Sequence, residues 1–159
     1  GSTVVTLGIK ENVGVCLWAG DSRLYRLRNE ELIQLSRDHS QVEELVQQGF
    51  ITAEAAQSHP DSNIITRAIG ANAELFIDIN VFSSQMGDTF LLCSDGLYNM
   101  VKTEEIRQIL LQLPINEAVL ALIQKALERG ANDNVSVILV NGELDAVAAP
   151  QLDFDVNSE

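Results

Sequence analysis

The sequence predicts an α+β fold in which antiparallel sheets are packed by helices. Three observations carry that expectation. Strand signals dominate the first third of the 159 residues, and two long helical patterns occupy much of the last third. The strands do not alternate one by one with helices, as a parallel βαβ sheet would require. The composition, 46% hydrophobic and 21% charged, supplies apolar surface for one packed domain and argues against a disordered chain.

The elements follow in order. Thr3 to Ile9 is β-branched and apolar, Lys10-Glu11-Asn12 turns, and Val13 to Ala19 returns as a second strand. Leu24 to Leu27 and Leu32 to Leu35 form a further hairpin about the polar Asn29-Glu30. Ser40 then caps a short helix with Glu43 three residues on, in capping-box spacing, and Val42, Leu45 and Val46 form its apolar stripe. Gly49 stops it, Thr52 caps a second short helix through Ala56, and His59-Pro60 ends that one. This helical pair interrupts a β-rich chain and reads as a surface flap over about 40–63.

Strands return at Leu75 to Val81 and at Thr89 to Cys93. Thr103 reads as the cap of a long helix, with Glu104 and Glu105 in its first turn where they complement the helix dipole. Ile106, Ile109, Leu110 and Leu113 line one face before Pro114. Asn116 opens a second long helix through Leu127 to Gly130, and Val135 to Val140 is the final strand. From Asp145 the chain is acidic and without periodicity, so 143–159 reads as an acidic C-terminal extension of a domain over 1–142.

Charge and cysteine usage bound the function. A net charge of −13 repels nucleic acid, and the same excess of carboxylates suits divalent cations as well as solubility. Cys16 and Cys93 each lie inside apolar runs and read as small buried hydrophobes in a reducing, cytoplasmic compartment. No apolar run is long enough to cross a bilayer, so no membrane partner is expected.

Three aspartates stand where a strand meets a turn: Asp21 in Gly20-Asp21-Ser22-Arg23, Asp95 in Ser94-Asp95-Gly96, and Asp133 in Asn132-Asp133-Asn134. Aspartate at such places often serves only the local backbone. If the three ends met, they would offer the oxygen ligands that Mg²⁺ or Mn²⁺ prefers. His39 reads as ordering the chain that enters the flap. Arg23 and Arg67 are expected to pair with nearby carboxylates rather than bind phosphate.

A resemblance carries the reading further. Trp18-Ala19-Gly20-Asp21-Ser22-Arg23, Arg37-Asp38-His39-Ser40, Ile65-Thr66-Arg67-Ala68-Ile69-Gly70, Leu92-Cys93-Ser94-Asp95-Gly96-Leu97 and Gly130-Ala131-Asn132-Asp133-Asn134-Val135-Ser136-Val137 occur in this order. Together they resemble the later motifs of the metal-dependent serine/threonine protein phosphatases of the 2C type, in the style of the bacterial branch. The resemblance implies a β-sandwich flanked by helices in four layers (α-β-β-α). It also implies a two-metal centre where a metal-bridging hydroxide attacks a phosphoserine or phosphothreonine of a protein substrate. By family position Asp95 and Asp133 would bind the second core metal, and Asp21 with Asp95 a third, weaker one.

Two departures qualify that picture. The family's N-terminal aspartate, its glycine-flanked Asp-Gly pair and its phosphate-binding arginine have no counterpart here, so the sandwich is expected to be incomplete on its N-terminal side. The first metal then lacks protein ligands, and the chain alone is expected to be inactive and to dimerise or exchange elements. Asn99 stands where many members carry an aspartate, which is expected to weaken the third site. Two other readings keep the same scaffold: a non-catalytic interaction module, and a partner-switching phosphatase acting on an anti-sigma antagonist.

Overall fold

A computed structural model describes residues 1–57, 59–71 and 73–142. Two antiparallel sheets form the body. In the first, β1 (Val4–Lys10), β2 (Val13–Ala19) and β5 (Asp78–Ser83) lie in the order β1-β2-β5. In the second, β3 (Arg23–Arg28), β4 (Glu31–Gln34), β6 (Thr89–Cys93) and β7 (Val137–Asn141) lie in the order β4-β3-β6-β7. The helices are α1 (Gln41–Gln47), α2 (Ala53–Gln57), α3 (Asp95–Tyr98), α4 (Thr103–Gln112) and α5 (Ile115–Glu128).

Alternation along each strand decides which face is buried. On β2, Cys16 and Trp18 face the second sheet and join Leu24, Phe90 and Leu92 in a core between the sheets. The opposite faces of β3 and β6 carry Tyr25, Leu91 and Cys93, which pack with Leu97, Ile106 and Leu122 beneath α4 and α5. Each fully buried Leu or Ile contributes about 1.5–3 kcal/mol relative to exposure. Among the described residues this gives three of the expected layers: sheet, sheet and helices. The outward face of the β1-β2-β5 sheet carries Leu17, Ile79 and Val81 and remains exposed, with Ile79 and Val81 more than 60% accessible.

The two short helices form between β4 and β5. Ser40 Oγ accepts the Glu43 N–H at 3.3 Å and Thr52 Oγ1 accepts the Ala55 N–H at 3.2 Å, as the cap residues predict. Glu43 does not complete the capping box; its carboxylate lies nearer Arg37 and Gln47. The segment closes at its base, where Ser40 bridges Ile65 and the Gln41 N–H donates to Ile64 O at 3.0 Å.

The structure moves several boundaries. β5 starts at Asp78 rather than Leu75: its partner β2 ends at Ala19 and the chain swings away at Gly20, whose φ of +114° leaves Leu75 and Phe76 no ladder to join. β7 starts at Val137, since the backbone just before it bonds the Ser94 side chain instead. Thr103 is the first helical residue of α4 and not its cap; Glu105 reaches back to the Lys102 N–H at 3.2 Å. The apolar residues of α5 do not all face the core: Leu122 is buried, whereas Leu120 and Leu127 are exposed. Cys16 and Cys93 are free and buried, and burial pushes their thiols up to about 11 and about 12, so neither is a nucleophile. The acidic extension over 143–159 lies outside the described residues. No helix among the described residues is long and apolar enough to cross a membrane.

Candidate metal centre

Strand register brings the three aspartates to one end of the sandwich. Arg23 of β3 pairs with Cys93 of β6, and Cys93 pairs with Val137 of β7. Those three residues form the last row of the sheet. Asp21 enters that row two residues before Arg23, Asp95 leaves it two residues after Cys93, and Asp133 precedes Val137 by four. All three therefore lie beyond the same edge, Asp21 and Asp133 on loops and Asp95 as the first residue of α3, carried by a rigid scaffold.

Side chains then lock the loops together. Ser94 Oγ donates to Asn134 O at 2.9 Å and accepts the Ser136 N–H at 3.0 Å, while the Ser94 N–H donates to Ser136 O at 3.1 Å. Gly96, the second residue of the single turn of α3, lies directly against this loop: a Cβ there would lie 2.5 Å from Asn134 O. Tyr98, at the end of the same turn, donates from its hydroxyl to Asp21 O at 3.0 Å. Three chain segments distant in sequence are thus joined by Ser94, Gly96 and Tyr98.

The carboxylates partly serve their own turns, as the backbone reading of such aspartates predicts. Asp95 Oδ1 accepts the Gly96 N–H at 2.9 Å and Asp133 Oδ1 accepts the Asn134 N–H at 2.6 Å. They also feel one another. Burial, and then the Asp133 carboxylate, hold Asp95 above the usual carboxylate range. Burial, and then Asp95, do the same to Asp21. The charge of Arg23 opposes both shifts.

Arg23 is fully engaged. Its Nε lies 2.9 and 3.0 Å from the two Asp38 oxygens, its Nη2 lies 2.6 Å from Asp38 Oδ2, and its Nη1 donates to Tyr25 Oη at 2.9 Å. The guanidinium stacks 3.5 Å over the Tyr98 ring. Arg67 donates to Asp78 Oδ1 at 2.8 Å. Both arginines are paired with carboxylates, as expected. His39 is buried behind Gly20, stacked on Trp18, and ties the base of the helical insert through Thr66 N–H to His39 O at 2.8 Å.

Hard oxygen donors at a common edge fit part of a divalent-cation ligand shell. Among the described residues no three acidic, histidine or cysteine side chains stand close enough to form a complete one. Asn99 follows α3 as its C-cap, on the exposed side of this edge. A cleft of about 640 Å³ lies elsewhere, between Gln34 to Arg37 and Ile77 to Asn80, and none of the three aspartates lines it. Isolated sequence gives no signal for Ser94, Tyr98 or Gly96 as brackets, because each acts through a partner 38 to 77 positions away.

Comparison with known proteins adds the following. The family model described as Protein phosphatase 2C matches residues 1–139. The serine/threonine phosphatase stp of Listeria monocytogenes serotype 4b (strain F2365) is 41% identical over 145 residues, covering 91% of this chain and 58% of that protein. The solved serine/threonine phosphatase Stp1 from Staphylococcus aureus superposes with a TM-score of 0.84 at 37% identity, covering 89% of this chain and 56% of that one. The catalytic domain of the serine threonine protein phosphatase PstP, solved in complex with two manganese ions, superposes with a TM-score of 0.77 at 35% identity, covering 86% and 56%. The chain therefore spans less than two thirds of the length of these relatives.

Proposed function

The chain belongs to the protein phosphatase 2C family, and from that premise we propose that it contributes the Asp95–Asp133 half of a metal centre that hydrolyses phosphoserine and phosphothreonine in proteins. The observation that supports this reading is the bracketing of the Asp95 turn against the Asp133 loop by Ser94 and Gly96. Two carboxylates that repel one another are kept together by neutral groups, at a cost a cation would relieve.

In this reading Asp95 and Asp133 hold one core ion and Asp21 with Asp95 a weaker one, Mn²⁺ or Mg²⁺ serving as the ion. Such ions, when bound, supply charge neutralisation at the phosphoryl group and a nucleophilic water at neutral pH. The chain's own residues orient oxygen ligands: Ser94 fixes the distance between the two loops, and Tyr98 holds the Asp21 backbone. Arg23 stabilises the edge through Asp38 and does not bind phosphate. Further ligands are required for turnover, since the described residues hold only part of a set and the sequence has a single Asp-Gly pair.

Residues 1–142 form part of one phosphatase domain with a flap over about 40–63, the substrate is a phosphoprotein, and the setting is cytoplasmic. The uncovered apolar face about Leu17, Ile79 and Val81 drives dimerisation or element exchange of the isolated chain. Calorimetric titration with Mn²⁺ tests the central reading. Wild-type chain is expected to bind, and Asp95→Asn and Asp133→Asn each to abolish the tighter event. Binding that ignores both substitutions refutes the site. Turnover of a phosphothreonine peptide by the isolated chain is expected to be near background; robust turnover refutes the need for further ligands.

A further inference from the structure

We propose that His39 is a positioning residue for Asp21: its Nδ1 holds the Gly20 N–H, and so fixes the turn from which the Asp21 carboxylate meets Asp95. The inference rests on the reading of Asp21 and Asp95 as metal ligands, and extends it to a residue that touches neither.

The contacts form a two-way clamp. The Gly20 N–H donates to His39 Nδ1 at 3.1 Å, and the His39 N–H donates back to Gly20 O at 2.9 Å. Gly20 needs such holding. Its φ of +114° lies where other residues are strained, and a Cβ there would meet Thr3 side-chain atoms at 2.4 and 2.6 Å. A glycine in this region gains no restraint from its own side chain, so the restraint must come from a partner. His39 is only 6% exposed, so water cannot replace the acceptor.

The ring itself is fixed from three sides. It stacks on Trp18 with centroids 6.0 Å apart and planes 24° from parallel. Trp18 is anchored in turn by its indole N–H donating to Arg37 O at 2.6 Å. An imidazole nitrogen that accepts a hydrogen bond carries no proton, so the ring proton belongs on Nε2. Nε2 lies 3.2 Å from Asp78 Oδ2, misaligned for a good hydrogen bond but well placed to favour that tautomer. Asp78 is held in place by Arg67. The arrangement of carboxylate, imidazole and turn follows the general pattern in which groups behind a metal ligand orient it, and whose loss typically lowers metal affinity about 10–100-fold.

The test has a metal-free arm and a metal arm, both on the full 159-residue chain. In wild type, nitrogen NMR of the imidazole is expected to show an unprotonated Nδ1 and a protonated Nε2; a protonated Nδ1 overturns the clamp whatever the variants do. His39→Phe keeps the stack and removes the acceptor, and is expected to speed amide exchange at Gly20 at least tenfold. His39→Asn returns an oxygen close to the Nδ1 position and is expected to restore most of the protection. Unchanged exchange in a folded His39→Phe overturns the proposal.

In the metal arm, Mn²⁺ is titrated against wild type, Asp21→Asn, Asp133→Asn and His39→Phe. The weaker, Asp21-dependent event is expected to lose about tenfold in affinity in His39→Phe, with the Asp133-dependent event unmoved. Equal loss at both events marks a merely structural role and overturns the proposal. If no Mn²⁺ event in wild type responds to Asp21→Asn, the underlying assignment of Asp21 fails instead, which the metal-free arm distinguishes from failure of the clamp.

Discussion

Gly96→Ala sets two physical effects against each other. Gly96 lies in the one-turn helix α3, and alanine is the better helix former by about 1 kcal/mol. Propensity alone therefore favours the substitution. The contact opposes it: the new methyl would lie 2.5 Å from Asn134 O, 3.0 Å from Asn134 C and 3.4 Å from Val135 Cα. All three are backbone atoms, so no rotamer change relieves the clash. Either α3 or the 133–135 loop must retreat by roughly half an ångström, and overpacking of this kind costs about 1–3 kcal/mol. Retreat also stretches the Ser94–Asn134 and Ser136–Ser94 hydrogen bonds, now 2.9 and 3.0 Å. The backbone clash sets the sign, leaving a net loss of up to about 2 kcal/mol, or several degrees of thermal midpoint at about 2–4 °C per kcal/mol. Mn²⁺ affinity falls with it, because the same motion separates Asp95 from Asp133. Circular-dichroism melting and calorimetry check both. A midpoint equal to or above wild type would show that the loop yields freely, and would refute the bracket.

Other expectations concern charge. Arg23→Met strands Asp38, whose side chain is only 11% exposed, and is expected to cost about 3 kcal/mol by urea denaturation. Adding Asp38→Leu should recover part of that, and no recovery would refute the stranded-charge account. Asn99→Asp is expected to raise Mn²⁺ affinity at the Asp21-dependent site severalfold; an unchanged titration counts against Asn99 lying near that ion. The pH dependence follows from the raised Asp21 and Asp95. A carboxyl raised in the fold binds protons more tightly there than in the unfolded chain. It therefore stabilises the metal-free fold below its unfolded value, and loses that contribution as pH rises through the folded value. Protons also compete with Mn²⁺ for the same oxygens. Apparent affinity is thus expected to decline on acidification at a pH above the ordinary aspartate value of 3.8, and a midpoint at or below it would refute the shift.

Much of the fold was legible because each element obeys a local rule. Short apolar runs marked β2 and β6, and the caps Ser40 and Thr52 placed two short helices correctly. The errors lie where a non-local partner decides. Leu75 to Ile77 have strand-like side chains, but β2 ends opposite them. The Asp95-Gly96-Leu97-Tyr98 turn of α3 was invisible, since four residues carry no periodicity and its packing comes from Asn134. The three aspartates stand out in the sequence by their positions at strand ends. Their convergence does not, because it depends on the register Arg23–Cys93–Val137, which spans more than a hundred residues.

That division has a physical basis. Carboxylates at turns are common, and three of them at one sheet edge would normally separate, since burial and mutual repulsion both oppose their charge. What distinguishes this edge is the neutral framework that prevents separation: a serine hydroxyl between two loops, a glycine admitting a close backbone, and a tyrosine hydroxyl on the Asp21 carbonyl. A half-buried cation, Arg23, offsets the repulsion while remaining committed to Asp38. Its charge favours the ionised form of Asp21 and Asp95 without occupying their oxygens, which leaves those oxygens for a ligand of higher charge. An arginine that bridged the aspartates directly would stabilise the fold better and close the site. The bond to Asp38 is therefore the feature that keeps the edge both folded and chemically open.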